Sequence, residues 1–175
     1  MDKVIAVLKD PTLKSTEKRE ERISQLRKII YARFDFAEMA RRSLGSHWRR
    51  RTPSERKEFI RIFRDLLERS YVRQIDSYND EKFVYIREKL DENYAEVGTK
   101  ILTSKGEEFS LNYKTHLVDG EWKIYDLVVE NISLVNNYRS QFKRVLSKSS
   151  YEELVQKINN KLAELVEKDK VKESL

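Results

Sequence analysis

Between Glu108 and Leu117 the chain alternates: Phe109, Leu111, Tyr113, Thr115 and Leu117 interleave with Glu108, Ser110, Asn112, Lys114 and His116. A period of two sends the two sets to opposite faces, so the segment reads as a half-buried strand. Asp119-Gly120 suits a tight hairpin turn, and 122–129 is the returning strand. Residues 83–89 and 94–103 read as two earlier strands, the second joined to 107–118 through Ser104, Lys105 and Gly106. Four strands linked by short turns make an antiparallel meander with one apolar face to cover.

Both flanks keep the helical period instead. Residues 2–9 read as a helix that stops before Pro11, and 16–30 as a second with Ile23, Leu26, Ile29 and Ile30 on one stripe. Asp35 with Glu38 has the spacing of a capping box, and Gly45 is a natural stop for the helix it opens. Thr52-Pro53-Ser54-Glu55 is the clearest start signal: an N-cap threonine, proline at the first helical position and glutamate at the third. The helix that follows is expected to reach about Tyr78, with Phe59, Phe63, Leu66, Leu67, Val72, Ile75 and Tyr78 on its apolar face. After the strands, Ser133 to about Leu146 carries Leu134, Val135, Tyr138, Phe142 and Val145, and Ser150 with Glu153 opens a last helix to about Val166. No repeat or linker interrupts this order. The expectation is a single α+β domain over residues 1–168, a four-stranded antiparallel sheet covered by amphipathic helices, with 169–175 as a frayed tail.

The residues present narrow the chemistry. The chain has no cysteine, which removes thiol nucleophiles and thiolate metal sites. No run of 18 apolar residues exists, and no phosphate-binding glycine loop or serine-hydrolase motif occurs. His47 and His116 lack metal-ligand spacing and read as solvated or hydrogen-bonded side chains. Strand alternation puts Asp126 on the face of Trp122, Ile124 and Val128. A buried acid there is a candidate base, although pairing with a base such as Arg139 is the commoner role.

The net charge is +6, and residues 1–80 hold 20 basic against 13 acidic side chains. Arg41, Arg42, Arg49, Arg50 and Arg51 fall within 11 residues with no acid between the first and the last. This run is a candidate docking patch for an acidic partner or anionic head groups, weighed against a plain solvated helix face or the pairing of some of its arginines with Glu38, Glu55 and Glu58. No nucleic-acid module accompanies it, so no nucleic-acid partner is expected.

Two stretches carry a resemblance. In residues 34–71 these are Phe34, Asp35, Phe36, Met39, Ala40, Leu44, Gly45, His47, Trp48, Thr52, Pro53 and Phe59. In residues 119–146 they are Trp122, Tyr125, Asp126, Ser133, Leu134, Asn137, Tyr138, Arg139, Ser140 and Phe142. In this order and spacing they resemble the MlaC family, the toluene-tolerance auxiliary proteins. One departure is Asn131, where many members have glycine.

The resemblance implies an NTF2-like fold with an apolar pocket for the acyl tails of a phospholipid. It implies no cofactor and no enzymatic activity. It further implies a carrier in the periplasm that maintains outer-membrane lipid asymmetry, with a targeting segment removed ahead of Met1. The implied partners are an MlaD-like, MCE-domain subunit of an inner-membrane ABC transporter and an MlaA-like outer-membrane lipoprotein–porin complex. Expected pocket residues on the sheet are Val97, Ile101, Leu111, Tyr113, Trp122, Ile124 and Val128; on the helices they are Phe63, Leu67, Tyr138 and Phe142. The alternative is an NTF2-like enzyme for a small apolar substrate, with Asp126 as base.

Overall fold

The structure, a computed structural model, describes residues 2–13, 15–76 and 81–173. The chain divides into two compact units, each assembled from two stretches of sequence: Met1–Asp35 with Gln74–Ser133, and Phe36–Arg73 with Leu134–Leu175.

The first unit holds the helices α1 (Asp2–Lys9) and α2 (Arg19–Arg33) and the sheet. Leu8, Leu13, Ile23 and Leu26 are its buried helical residues. The strands are β1 (Lys82–Asp91), β2 (Tyr94–Leu102), β3 (Glu108–Val118), β4 (Glu121–Val129) and β5 (Ile132–Ser133), paired in that order and all antiparallel. The sheet therefore has five strands and not four. The extra one is only two residues long, pairing Ile132 with Val129 and Ser133 with Val128, and two residues cannot display a period.

Asp119-Gly120 turns between the paired Val118 and Glu121 with φ of 49° and 79°. Glu130-Asn131 repeats the device before β5, with φ of 48° and 64°. Two left-handed residues in succession match the twist of a two-residue hairpin. Asparagine tolerates that region best among side chains after glycine, which accounts for Asn131 in a position suited to glycine.

The second unit is helical. It contains α3 (Phe36–Leu44), a 3-10 stretch (Gly45–Arg50), α4 (Pro53–Asp76) as far as Arg73, α5 (Leu134–Leu146) and α6 (Tyr151–Glu173). The backbone of α6 stays helical to Glu173, beyond the expected end near Val166. Tyr78 lies outside the described residues, and the side chains of Val72 and Ile75 lie outside the described side chains. Gly45 ends α3 at φ 61°, where a Cβ would stand 3.1 Å from Arg139 Nε. Among the described residues no helix is long and apolar enough to cross a membrane.

The α4 start forms as its sequence dictates. The Thr52 N–H donates to Glu55 Oε2 at 2.6 Å, and the Glu55 N–H donates to Thr52 Oγ1 at 3.2 Å. Two orphan donors of the first turn are thereby satisfied. Thr52→Ala should cost about 1 kcal/mol, read as a lower denaturant midpoint with an unchanged slope. At the start of α3 the Asp35 N–H donates to the Ile124 carbonyl at 2.8 Å, and the Glu38 carboxylate holds Arg41 and Arg42.

α4 supplies the centre of this unit's core. Phe59, Ile62 and Phe63 are fully buried, with Leu66 and Leu67 nearly so. The Phe59 and Phe63 rings stack 5.9 Å apart, Phe142 meets both edge-on at 5.7 Å, and Tyr138 meets Phe63 edge-on at 5.2 Å. Edge-to-face contacts of this kind add to the area that the rings bury.

Candidate functional site

Cross-strand pairing shows which residues share a face of the sheet. Val97 pairs with Tyr113 and Tyr113 with Leu127; Thr99 pairs with Leu111 and Leu111 with Val129; Ile101 pairs with Phe109. Thr115 pairs with Ile124, Leu117 with Trp122, and Phe83 and Leu90 of β1 with Ile101 and Ala95. These residues make one broad apolar face. It keeps large side chains partly in contact with solvent, from Trp122 at 38% exposed to Leu90 at 62%. An apolar patch of this kind on a folded protein marks a place where something apolar binds.

The hydroxyls on this face are turned back to the backbone. Thr99 Oγ1 donates to the Leu111 carbonyl at 2.5 Å, and Thr115 Oγ1 donates to the Ala95 carbonyl at 3.2 Å. Burial pushes the Tyr113 hydroxyl well above the ordinary tyrosine range, so it stays neutral. Across β2, β3 and β4 the face therefore presents hydrocarbon and satisfied hydroxyls, which suits an acyl chain, while Glu88 of β1, paired with Val97, places a carboxylate at its edge.

Strand alternation predicts the faces of β4 wrongly. Lys114 pairs with Asp126 but Thr115 pairs with Ile124, so Tyr125 is an extra residue opposite the step from Lys114 to Thr115. Such a bulge reverses the alternation beyond it. Asp126 and Val128 consequently lie on the opposite face from Trp122 and Ile124. Val128 shares that face with its partner Asn112 and, across the next strand, Gly98. The same face carries a cluster of rings: His116 lies 5.3 Å from Tyr125 and 6.1 Å from Tyr94, and its Nε2 is 3.0 Å from Asp35 Oδ2.

Asp126 is 4% exposed, and its Oδ2 accepts the Ser133 hydroxyl at 2.6 Å. The carboxylate thus fastens β4 to β5 just before α5 begins. Arg139, its expected partner, lies against Gly45.

The other expected residues belong to the second unit. Phe63, Leu67, Tyr138 and Phe142 belong to the helical unit, where the three aromatics form the ring cluster already described. Of the five arginines, Arg41 and Arg42 pair with Glu38 at 2.6 and 2.7 Å, and Arg51 pairs with Glu55 at 2.9 Å. Burial raises the affinity of Glu38 for a proton, but the hydrogen bonds from Arg41 and Arg42 outweigh it and hold the carboxyl below its usual range. Arg49 and Arg50 are exposed.

Sequence reading also missed Phe83, Leu90, Leu127, Val129 and Ile132 as members of the apolar face. Their signal lies in strand register: β1 carries its own irregularity between Tyr85 and Arg87, which hides the alternation of Phe83, Tyr85, Glu88 and Leu90.

Known proteins share this arrangement. The family described as MlaC protein matches residues 1–160. The intermembrane phospholipid transport system binding protein MlaC of Haemophilus influenzae is 26% identical over 120 residues, which is 66% of this chain and 56% of that protein. The toluene tolerance protein ttg2D of Pseudomonas putida is 27% identical over 95 residues, 54% of this chain and 44% of that one. The matches thus span about half the length of these two relatives. The phospholipid-binding protein of Ralstonia solanacearum, solved in complex with a phospholipid, superposes with a TM-score of 0.81 at 26% identity. That likeness covers 94% of this chain and 93% of the other. With a family match over nearly its whole length and a five-stranded sheet between helical segments, the chain belongs to the MlaC family.

Proposed function

We propose that this chain is a phospholipid carrier of the periplasm, which takes a lipid by its acyl tails and passes it between membrane-bound complexes. The observation that carries the reading is the apolar face of the sheet, in a chain that shares its fold with a protein solved with a phospholipid bound. The donor and acceptor in this reading are an outer-membrane lipoprotein–porin complex and an inner-membrane ABC transporter with an MCE-domain subunit. The work of such a carrier is physical. Two acyl chains with roughly 30 methylenes, at ~0.8 kcal/mol each, hold on the order of 24 kcal/mol against entering water. A free lipid therefore crosses an aqueous gap very slowly, and a carrier needs a dry surface for the tails, with no bond-making group. Val97, Ile101, Leu111, Tyr113, Trp122 and Ile124 are the proposed tail contacts on the sheet, with the head group left in water.

Transfer between vesicles tests the carrier role. Added to donor vesicles with labelled phosphatidylethanolamine and unlabelled acceptors, the protein should raise the transfer rate in proportion to its concentration. Phosphatidylglycerol should transfer at a similar rate, since a site that holds tails reads head groups weakly. No acceleration with either lipid would refute the carrier reading.

A further inference from the structure

The helical unit has a second feature that the apolar face does not explain. A hollow of about 190 Å³ is lined by His47, Arg50, Arg51, Leu146, Ser149 and Tyr151. Among the described residues no carboxylate lines it, although the charges of Glu55, Glu58 and Glu152 reach Tyr151 at its edge. Three of its donors have no acceptor among the described residues. The side chains of His47 and Arg50 make no hydrogen bond or ion pair there, and Arg51 Nε is buried without a partner. A buried donor without an acceptor costs free energy, so Arg51 Nε calls for a ligand or ordered water, with the half-buried His47 and the exposed Arg50 beside it.

Arg51 is held in place from two sides. Its Nη1 donates to Glu55 Oε1 at 2.9 Å, and its guanidinium carbon lies 4.4 Å from the centre of the Tyr151 ring. The Tyr151 hydroxyl donates to the Glu55 carbonyl at 3.2 Å, which fixes the ring. Tyr151 is also the first residue of the 23-residue helix α6, whose opening turn is capped by its own sequence, the Glu153 N–H donating to Ser150 Oγ at 3.2 Å. Ser149 has spent its hydroxyl on the Val145 carbonyl at 3.1 Å, so the free donors of the hollow are those of His47 and the two arginines.

We propose that this hollow is an oxyanion site for a phosphate group, clamped by Arg50 and Arg51 with His47 beside them. Guanidinium groups match the oxygens of phosphate with paired, charge-assisted hydrogen bonds. The volume equals about six waters at ~30 Å³ each, room for a tetrahedral phosphate with some hydration and too little for a folded acidic segment. Two sources carry this group: the head-group phosphate of a lipid in a membrane, and free inorganic phosphate. The residues of the site all belong to the helical unit, and the proposal does not depend on lipid being carried.

The test uses the full chain in two arms. In the first, amide spectra are recorded while inorganic phosphate is titrated against sodium chloride of equal ionic strength. Saturable shifts confined to 47–51 and 149–151 are expected, weakened about tenfold by Arg50→Ala and less by Arg50→Lys, which keeps the charge but loses the fork. In the second, flotation compares phosphatidylcholine vesicles with vesicles that also contain phosphatidic acid. Recruitment by phosphatidic acid that Arg50→Ala removes would support the site and name the head group as its source. Phosphate-induced shifts without recruitment would support it with free phosphate as the source. A response to phosphate no larger than to chloride, together with vesicle binding indifferent to Arg50→Ala, would overturn the proposal. So would saturation of the same amides by a polyglutamate peptide but not by phosphate, which would make the hollow a contact for an acidic protein.

Discussion

Leu111→Arg is expected to strip the protein of nearly all bound phospholipid while leaving it folded. Leu111 lies mid-strand on the apolar face, between Thr99 and Val129, and is only partly buried. A guanidinium there would meet hydrocarbon without a partner when the tails are in place, a cost of several kcal/mol. Each ~1.4 kcal/mol is a factor of ten, so retention should fall by roughly a hundredfold or more. In the lipid-free protein the arginine can reach toward water, because Leu111 is only partly buried, so thermal stability should change much less. Trp122→Arg, at the other end of the face, should behave alike. Val84→Arg is the control: Val84 is 40% exposed and pairs with Lys100 on the opposite face, so lipid should stay bound. If Leu111→Arg and Trp122→Arg retain lipid as the parent does, the tails lie elsewhere.

Phe59→Ala should be the most damaging single change to the helical unit. The ring is fully buried and touches Phe63, Phe142 and Tyr151 at centroid distances of 5.9, 5.7 and 6.3 Å. Its loss removes burial and leaves a cavity that three rings on α4, α5 and α6 cannot all move to fill. The expected cost is about 3–5 kcal/mol, comparable with a large share of the stability of an ordinary domain. Chemical denaturation followed by circular dichroism measures it. A loss below about 1 kcal/mol would show that the ring cluster is loosely packed.

How much could be read before the structure differed between elements, for physical reasons. α4 was legible because its start signal is local: Thr52 and Glu55 exchange hydrogen bonds within one turn, and Pro53 presets the backbone. β3 was legible because a regular strand keeps period two along its whole length. β4 was misread from Asp126 onward, since the bulge at Tyr125 is a property of the pair β3–β4 and has no signature in either strand alone. The short β5 was invisible for a related reason: the pairing of Ile132 and Ser133 is non-local and uses the turn at Glu130-Asn131. The basic run looked uniform in sequence, yet the fold gives Arg41 and Arg42 to Glu38 and Arg51 to Glu55. Those acids lie just outside the run, one helical turn away, where sequence spacing offered them as partners without deciding which arginines they take.

The measurement closest to the central claim is the mass of the protein as it comes from cells. Purified gently and sprayed under native conditions, the chain should carry one phospholipid per molecule, released as a mixture of head groups when the complex is activated. Organic extraction of the same sample should return phospholipid in about the same molar amount as protein. A bare chain in both experiments, with no uptake after incubation with phospholipid vesicles, would contradict the account.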